Sequence, residues 1–165
     1  MYGQIPLNAL PDVFPQVQAA ITQARRERKP MTATATETTS LITFMLPSTP
    51  YSVQIARFYV RAALRYHDLG DYAQDAQAVA SELVTNAVTH AGAPGIGLEL
   101  MRLAGSGALA IIVADHSPHL PVMRDAEPGA EHGRGLHIVA ALSARWGWTP
   151  QDTGKAVYAI LTRKG

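Results

Sequence analysis

Cysteine is absent from this 165-residue chain, as are long apolar stretches and any strong charge imbalance. Without cysteine there are no disulfides, no thiolate metal ligands and no cysteine nucleophile. The formal net charge is only +1, which gives no electrostatic reason to propose nucleic acid as a partner. The longest apolar stretch, ALAIIVA (108–114), is far shorter than the roughly 20 residues of a membrane-spanning helix. The first residues, MYGQIPLNAL, lack the features of a signal peptide. We therefore expect a soluble cytoplasmic protein.

The remaining composition predicts a globular domain with an N-terminal extension. Hydrophobic residues make up 47% of the chain and charged residues 16%, which favours a compact core over disorder. Residues 1–40 differ from the rest, because a short helical pattern ending in a basic cluster is followed by the Thr-rich segment MTATATETTS. We expect residues 1–40 to form a short helix plus a linker, and residues 41–165 to form the domain.

The order of periodic segments indicates the fold class. Apolar residues recur with a helical period in 52–70 and 71–92, whereas GIGLELMRLAG and GALAIIVADHS predict an antiparallel hairpin. The other expected elements are a strand at 41–46, a third helix over LHIVAALSARWG (136–147) and a last strand in KAVYAILTRKG. This order favours an α+β fold, a two-layer α/β sandwich whose mixed, mostly antiparallel sheet carries its helices on one face.

The stretch SELVTNAVTH places polar residues on one flank of the second helix. Glu82 and Asn86 are four residues apart and His90 follows one turn later, so the three form a stripe beside the apolar face. Amphipathic helices commonly carry such stripes toward solvent. The alternatives are therefore a solvated helix edge or one side of a ligand site.

Two downstream features favour a ligand site. Asp115 ends an apolar strand, where its carboxylate is suited either to an exocyclic amine or to an Asx turn. Gly133 and Gly135 precede the third predicted helix, where backbone amides and the absence of side chains suit an anion.

Taken in order, these motifs resemble the GHKL ATPase superfamily, which includes gyrase, heat-shock chaperone, histidine-kinase and mismatch-repair ATP-binding domains. Within that superfamily, the chain resembles the stand-alone actinobacterial anti-sigma-factor serine/threonine kinase-like ATP-binding proteins. The resemblance covers residues 41 to 163 and depends on ASELVTNAVTHAG, IIVADHSPHLPV, EHGRGLHIVAALSARWGW and GKAVYAIL. It implies the Bergerat, or histidine kinase-like, ATPase fold.

The resemblance implies a role for each polar residue of the helix motif. Asn86 matches the asparagine whose side-chain oxygen binds the Mg²⁺ that bridges the ATP phosphates. This agrees with the preference of Mg²⁺ for hard oxygen ligands and retained waters. Glu82 matches the glutamate that acts as general base on a hydroxyl or on water.

The remaining site residues are also implied by the resemblance. Asp115 matches the aspartate that accepts a hydrogen bond from the adenine amino group. The second glycine box, whose amides meet the phosphates, corresponds to Gly133, Arg134, Gly135 and Leu136.

Two positions depart from the family pattern. Ser117 stands where the first glycine box usually has glycine, which reduces backbone freedom there while leaving Ser117 in the binding loop. Ala156 stands where we expect a threonine or serine whose hydroxyl supports the aspartate–adenine contact. Its absence predicts weaker nucleotide binding unless water replaces the hydroxyl.

The resemblance implies a regulatory function with a protein partner. We expect a protein that binds ATP and Mg²⁺ and phosphorylates or sequesters a sigma factor or an anti-sigma-factor antagonist-like protein. The alternative is a catalytically weak or inactive ATP-binding interaction module. A homodimer is left open, and neither direct nucleic-acid binding nor membrane insertion is expected. The chain lacks the dimerisation helix pair of a histidine kinase, and its histidines lack the spacing of a metal hydrolase.

Overall fold

The computed structural model describes residues 38–90, 95–103, 106–123 and 134–163. Its regular elements are β1 (Thr39–Leu46), α1 (Ser52–Tyr66), α2 (Ala73–His90), β2 (Ile96–Arg102), β3 (Leu109–Asp115), α3 (Gly135–Leu142), β4 (Arg145–Gln151) and β5 (Gly154–Leu161). A short 3-10 turn at Gly70–Tyr72 separates α1 from α2. The N-terminal extension predicted for residues 1–40 lies almost wholly outside the described residues and remains a prediction.

The five strands form one sheet in the order β1-β2-β3-β5-β4. Every strand pairing among the described residues is antiparallel, including the predicted β2–β3 pair. The α+β class is thus confirmed. None of the helices described has the length and apolar composition needed to cross a bilayer.

The segment after α3 differs from our prediction, because the third helix ends at Leu142 and residues 145–151 form strand β4. Ser143 has an extended backbone with ψ 140°, which ends the helix. The sequence RWGWTPQ contains glycine, proline and a β-branched residue, all of which disfavour a helix. Strand β4 instead pairs with β5 through a tight hairpin at Asp152 and Thr153.

The core lies between the helices and one face of the sheet. Helix α2 is central, since it packs against α1 on one side and α3 on the other and also contacts β3. Alternate residues of the strands point toward the helices and are fully or almost fully buried: Leu98, Leu100, Ile111, Val113, Val157 and Ala159. This alternation fixes the rotation of each strand and therefore the face on which its terminal polar residues lie.

Glu99 is a buried acid on the opposite face of the sheet. It pairs in register with Thr43 of β1 and Ile112 of β3, and only 7% of the residue is exposed. Ser40 Oγ donates a hydrogen bond to Glu99 Oε1 at 3.1 Å. Burial raises the pKa of Glu99, and hydrogen bonds from Ser40 and Thr43 offset part of that increase. The charged carboxylate is therefore a cost to the folded state at neutral pH.

We expect Glu99→Gln to raise the free energy of unfolding by about 1 kcal/mol at neutral pH. Because the pKa of Glu99 is raised in the folded state, protonated Glu99 favours folding. This contribution is lost as the pH rises from the ordinary pKa of glutamate through the raised pKa. The advantage of the variant should therefore shrink toward acid. Urea unfolding of both proteins at about pH 4 and pH 8 measures this difference in the free energy of unfolding. Asp152→Asn, at an exposed acid, is the control; a less stable Glu99→Gln at pH 8 would contradict the expectation.

Candidate functional site

Glu82 and Asn86 lie one turn apart on a partly buried flank of α2. The adjacent flank of this helix is fully buried in the core and includes Leu83, Val84 and Ala87. Because the apolar flank fixes the rotation of α2, it also fixes the direction of the two polar side chains. His90, the third residue of the predicted stripe, is the last residue of α2 and is exposed.

Gly135 begins α3 close to these two side chains. A Cβ atom built on Gly135 would lie 2.6 Å from Glu82 Oε2 and 3.7 Å from Asn86 Oδ1. A side chain at this position would therefore force the Glu82 carboxylate to move. Arg134, which precedes the helix, provides no side-chain cap, so the first-turn amides retain capacity to bind an anion. The structure thus brings together an acid, an amide and a helix N-terminus that the sequence analysis found in separate motifs.

Partial burial of Glu82 changes its acid–base chemistry. Desolvation raises the pKa of this carboxyl, because less polar surroundings disfavour the charged form. A carboxylate with a raised pKa is a stronger proton acceptor once it is ionised. Such shifts are common at functional sites, although structural acids also show them.

Asp115 and Ser117 form a compact turn where β3 ends. Asp115 Oδ1 accepts a hydrogen bond from the Ser117 backbone N–H at 2.8 Å, and Ser117 Oγ accepts one from the His119 N–H at 3.1 Å. The Asx turn that we considered as an alternative is therefore present. Among the described non-glycine residues only Asp68 has a positive φ, so Ser117 occupies the glycine position without a strained backbone.

Lys155 lies directly opposite Asp115 on the adjacent strand. The two residues pair in register between β3 and β5, and Lys155 Nζ donates to Asp115 Oδ1 at 2.8 Å. Because side chains alternate along a strand, Ala156 points to the opposite face of the sheet. The expectation that Ala156 removes a supporting hydroxyl was therefore wrong about the position. The side chain that supports this carboxylate belongs to Lys155.

A second contact holds the β4–β5 hairpin against the Asp115 turn. His116 Nδ1 donates to the Thr153 carbonyl oxygen at 3.0 Å, since a carbonyl can only accept. Gly154 has φ +142°, and a Cβ atom there would collide with the backbone carbonyl oxygen of Asp115 and lie 2.6 Å from His116 Cα. Only glycine permits this close backbone approach.

The structure places the predicted site residues in two groups and leaves one of them undescribed. Glu82, Asn86 and Gly135 lie together, and Asp115 and Ser117 form a second group at the end of the sheet. Arg134 is exposed and Leu136 is buried, whereas Gly133 lies outside the described residues. Lys155 was not among the site residues predicted from the sequence. The pattern that could have predicted it is a lysine that follows a turn glycine and begins an apolar strand. A charge buried at such a position requires a partner.

The fold of this chain is similar to part of one larger solved structure. The crystal structure of the RsbU and RsbW domains of a Mycobacterium tuberculosis protein aligns with a TM-score of 0.53 and 21% identity. The alignment covers 73% of this chain and 32% of the mycobacterial chain, so the similarity concerns the fold of part of that protein. The histidine kinase domain of a blue-light activated histidine kinase from Erythrobacter litoralis aligns with a TM-score of 0.45, 17% identity and coverage of 90% and 82%.

Family comparison identifies the domain. No curated protein matches the chain significantly. Residues 46–161, from the last residue of β1 to the last residue of β5, match the model of the histidine kinase-like ATPase domain. The resemblance inferred from the sequence is confirmed at the level of the superfamily. The chain therefore belongs to the histidine kinase-like ATPase domain family, which implies ATP binding.

Proposed function

We propose that this protein binds Mg-ATP and phosphorylates or sequesters a protein partner in transcriptional regulation. The observation that carries the proposal is the approach of Glu82 and Asn86 to Gly135 at the start of α3. That arrangement brings together the groups that we propose as base, metal ligand and anion-binding helix terminus. The partner class, a sigma factor or an anti-sigma-factor antagonist-like protein, follows from the sequence resemblance. Fold similarity alone does not determine function.

The residues present fit a magnesium ion. Asn86 supplies a neutral side-chain oxygen near the start of α3, and Mg²⁺ is commonly bound by few protein oxygens together with phosphates and water. The α3 amides and the exposed Arg134 suit the phosphate groups. When bound, the ion would neutralise charge that develops on the transferring phosphoryl group. The protein's own contribution is to place Asn86 and these amides on rigid helices.

Glu82 is suited to the role of general base. Its carboxylate lies near the α3 N-terminus, where the terminal phosphate is proposed to bind, and its raised pKa strengthens it as a proton acceptor. In the proposed reaction, a serine or threonine oxygen of the partner attacks the terminal phosphorus while Glu82 takes the hydroxyl proton. The bond from phosphorus to the bridging oxygen breaks, and ADP leaves.

We expect Glu82→Gln to lower phosphoryl transfer by about 100-fold or more, because glutamine keeps the shape but cannot accept the proton. ATP affinity should change by less than about threefold, since the phosphate-binding amides remain. Transfer from labelled ATP to candidate antagonist proteins measures the rate, and calorimetry measures the affinity. The wild-type rate should also fall in acid, beginning above the ordinary pKa of glutamate because the pKa of Glu82 is raised.

Thr85→Ala, at an exposed position on the same helix, is the matched control and should behave as wild type. Equal transfer by the wild type and Glu82→Gln would remove Glu82 from the base role. Loss of ATP binding in Glu82→Gln would instead assign Glu82 to nucleotide binding.

A second candidate function is a non-catalytic interaction module that binds ATP as a regulatory ligand. The exposed surface of α1 favours protein association, because Phe58 and Tyr66 on the helix are 59% and 85% exposed and Tyr51, just before it, is 67% exposed. Exposed arginines on the same helix, Arg57, Arg61 and Arg65, lie beside this aromatic stripe. Aromatic and arginine side chains are frequent at the centres of protein interfaces. Tight ATP binding and partner binding without label transfer would favour this function over a kinase.

A further inference from the structure

The Lys155–Asp115 pair is an ion pair enclosed within the folded domain. Lys155 is 5% exposed and Asp115 is 7% exposed, and their charged atoms are 2.8 Å apart. Burying two charges is costly unless the remaining donors and acceptors also find partners.

Both members of the Lys155–Asp115 pair retain capacity for further hydrogen bonds. An ammonium group has three donors, and the described residues provide one acceptor to Lys155 Nζ, namely Asp115 Oδ1. Asp115 Oδ1 already accepts from both Lys155 and the Ser117 N–H. Within the described chain, Asp115 Oδ2 accepts no hydrogen bond. A cation with spare donors thus stands beside a carboxylate with a spare acceptor atom.

We propose that Lys155 is a second residue that recognises the nucleobase, a role that rests on the proposed ATP binding. Asp115 Oδ2 accepts from the exocyclic amino group of adenine, and Lys155 Nζ donates to a ring nitrogen beside that group. Adenine carries an acceptor nitrogen on each side of its amino-bearing carbon, N1 and N7. Guanine in the same orientation places a carbonyl oxygen opposite Asp115, so the pair favours adenine.

The position of Lys155 in the sheet supports direct contact. Asp115 is in phase with Ile111 and Val113, and Lys155 with Val157 and Ala159, all of which belong to the helix-facing core. Both charged side chains therefore lie on the side of the sheet that carries α2. This is the helix that presents Glu82 and Asn86 to the start of α3.

The test combines ATP analogues that each lack one ring nitrogen with a variant that lacks the Lys155 ammonium. We expect the wild type to bind either 1-deaza-ATP or 7-deaza-ATP about tenfold more weakly than ATP, because one deaza position removes the acceptor of Lys155. Lys155→Met should bind ATP about tenfold more weakly, and the same deaza substitution should then cost it nothing further. Arg102→Met, at an exposed cation, is the control and should retain the wild-type pattern. Calorimetry with the full chain gives the affinities.

Three results would overturn the proposal, and one of them needs no variant. Equal binding of ATP and both deaza analogues by the wild type excludes a contact with a ring nitrogen. Equal ATP binding by Lys155→Met would mean that the ammonium does not contribute to binding of the base, and tighter binding would mean that it obstructs the base. A uniform loss for all three nucleotides in Lys155→Met would reduce Lys155 to a residue that positions Asp115. Absence of binding of any nucleotide to the wild type would instead refute the proposed function.

Discussion

Gly154→Ala is expected to lower the free energy of unfolding by about 2–4 kcal/mol and to abolish nucleotide binding. The backbone at Gly154 has φ +142°, which side-chain-bearing residues rarely adopt. The added Cβ would also collide with the backbone carbonyl of Asp115 and approach His116 Cα to 2.6 Å. Since these neighbours are backbone atoms, they cannot turn aside as a flexible side chain would. Relief of the collision must displace the turn that holds Asp115.

Gly107→Ala provides a matched control for this prediction. Gly107 also has a positive φ, +65°, but a Cβ atom there would meet nothing within 4 Å. Its substitution should cost about 1 kcal/mol from backbone strain alone and should leave nucleotide affinity unchanged. Urea unfolding and calorimetry of both variants separate strain from displacement of the site. Equal stability losses for the two variants would show that the close approach to Asp115 is unimportant.

Asp115→Ala should destabilise the fold by about 3–5 kcal/mol as well as remove base recognition. The substitution leaves the Lys155 ammonium buried without its carboxylate, which is the most costly way to break such a pair. The double variant Asp115→Ala/Lys155→Met should regain most of the lost stability, because an apolar side chain replaces the unpaired charge. It should not regain ATP binding, since both groups proposed to contact the base are absent.

Urea unfolding of the two single variants and the double variant measures the coupling between these residues. Independent, additive losses would show that the ion pair contributes little in solution. Wild-type ATP affinity in the double variant would contradict the placement of the base at the end of the sheet. Asp71→Ala, at an exposed acid, controls for the general effect of removing a carboxylate.

Local periodicity was sufficient to predict most of this fold. The apolar period of α2 predicted that Glu82 and Asn86 share one flank, and the β2–β3 pair followed from two apolar runs joined by GSG. Strand β4 was missed because the apolar pattern of α3 continues through Trp146, while the choice of a strand depends on pairing with β5. Strand pairing of this kind cannot be predicted from the composition of a short segment, because strand preference depends on the neighbouring strands.

The site was predicted less completely than the fold. Motif order identified Glu82, Asn86 and Asp115, but the partner of Asp115 depends on the register between β3 and β5. A shift of one residue would have placed Ala156 rather than Lys155 across from the carboxylate and on its face. The sequence does not fix that register. The role of Gly133 and the N-terminal extension at residues 1–40 remain predictions.

The strand order has a consequence for how this domain adapts to its ligand. Strand β3, which ends in Asp115, is the middle strand of five. Its residues 109–114 pair with both neighbouring strands, and Asp115 pairs with β5. Fraying begins at the margins of a sheet, so the amide hydrogens of β3 should exchange among the slowest in the protein. The sheet beneath the proposed nucleobase site is therefore rigid. Adjustment to an incoming molecule has to come from side chains and connecting segments, because the sheet itself has little freedom to yield.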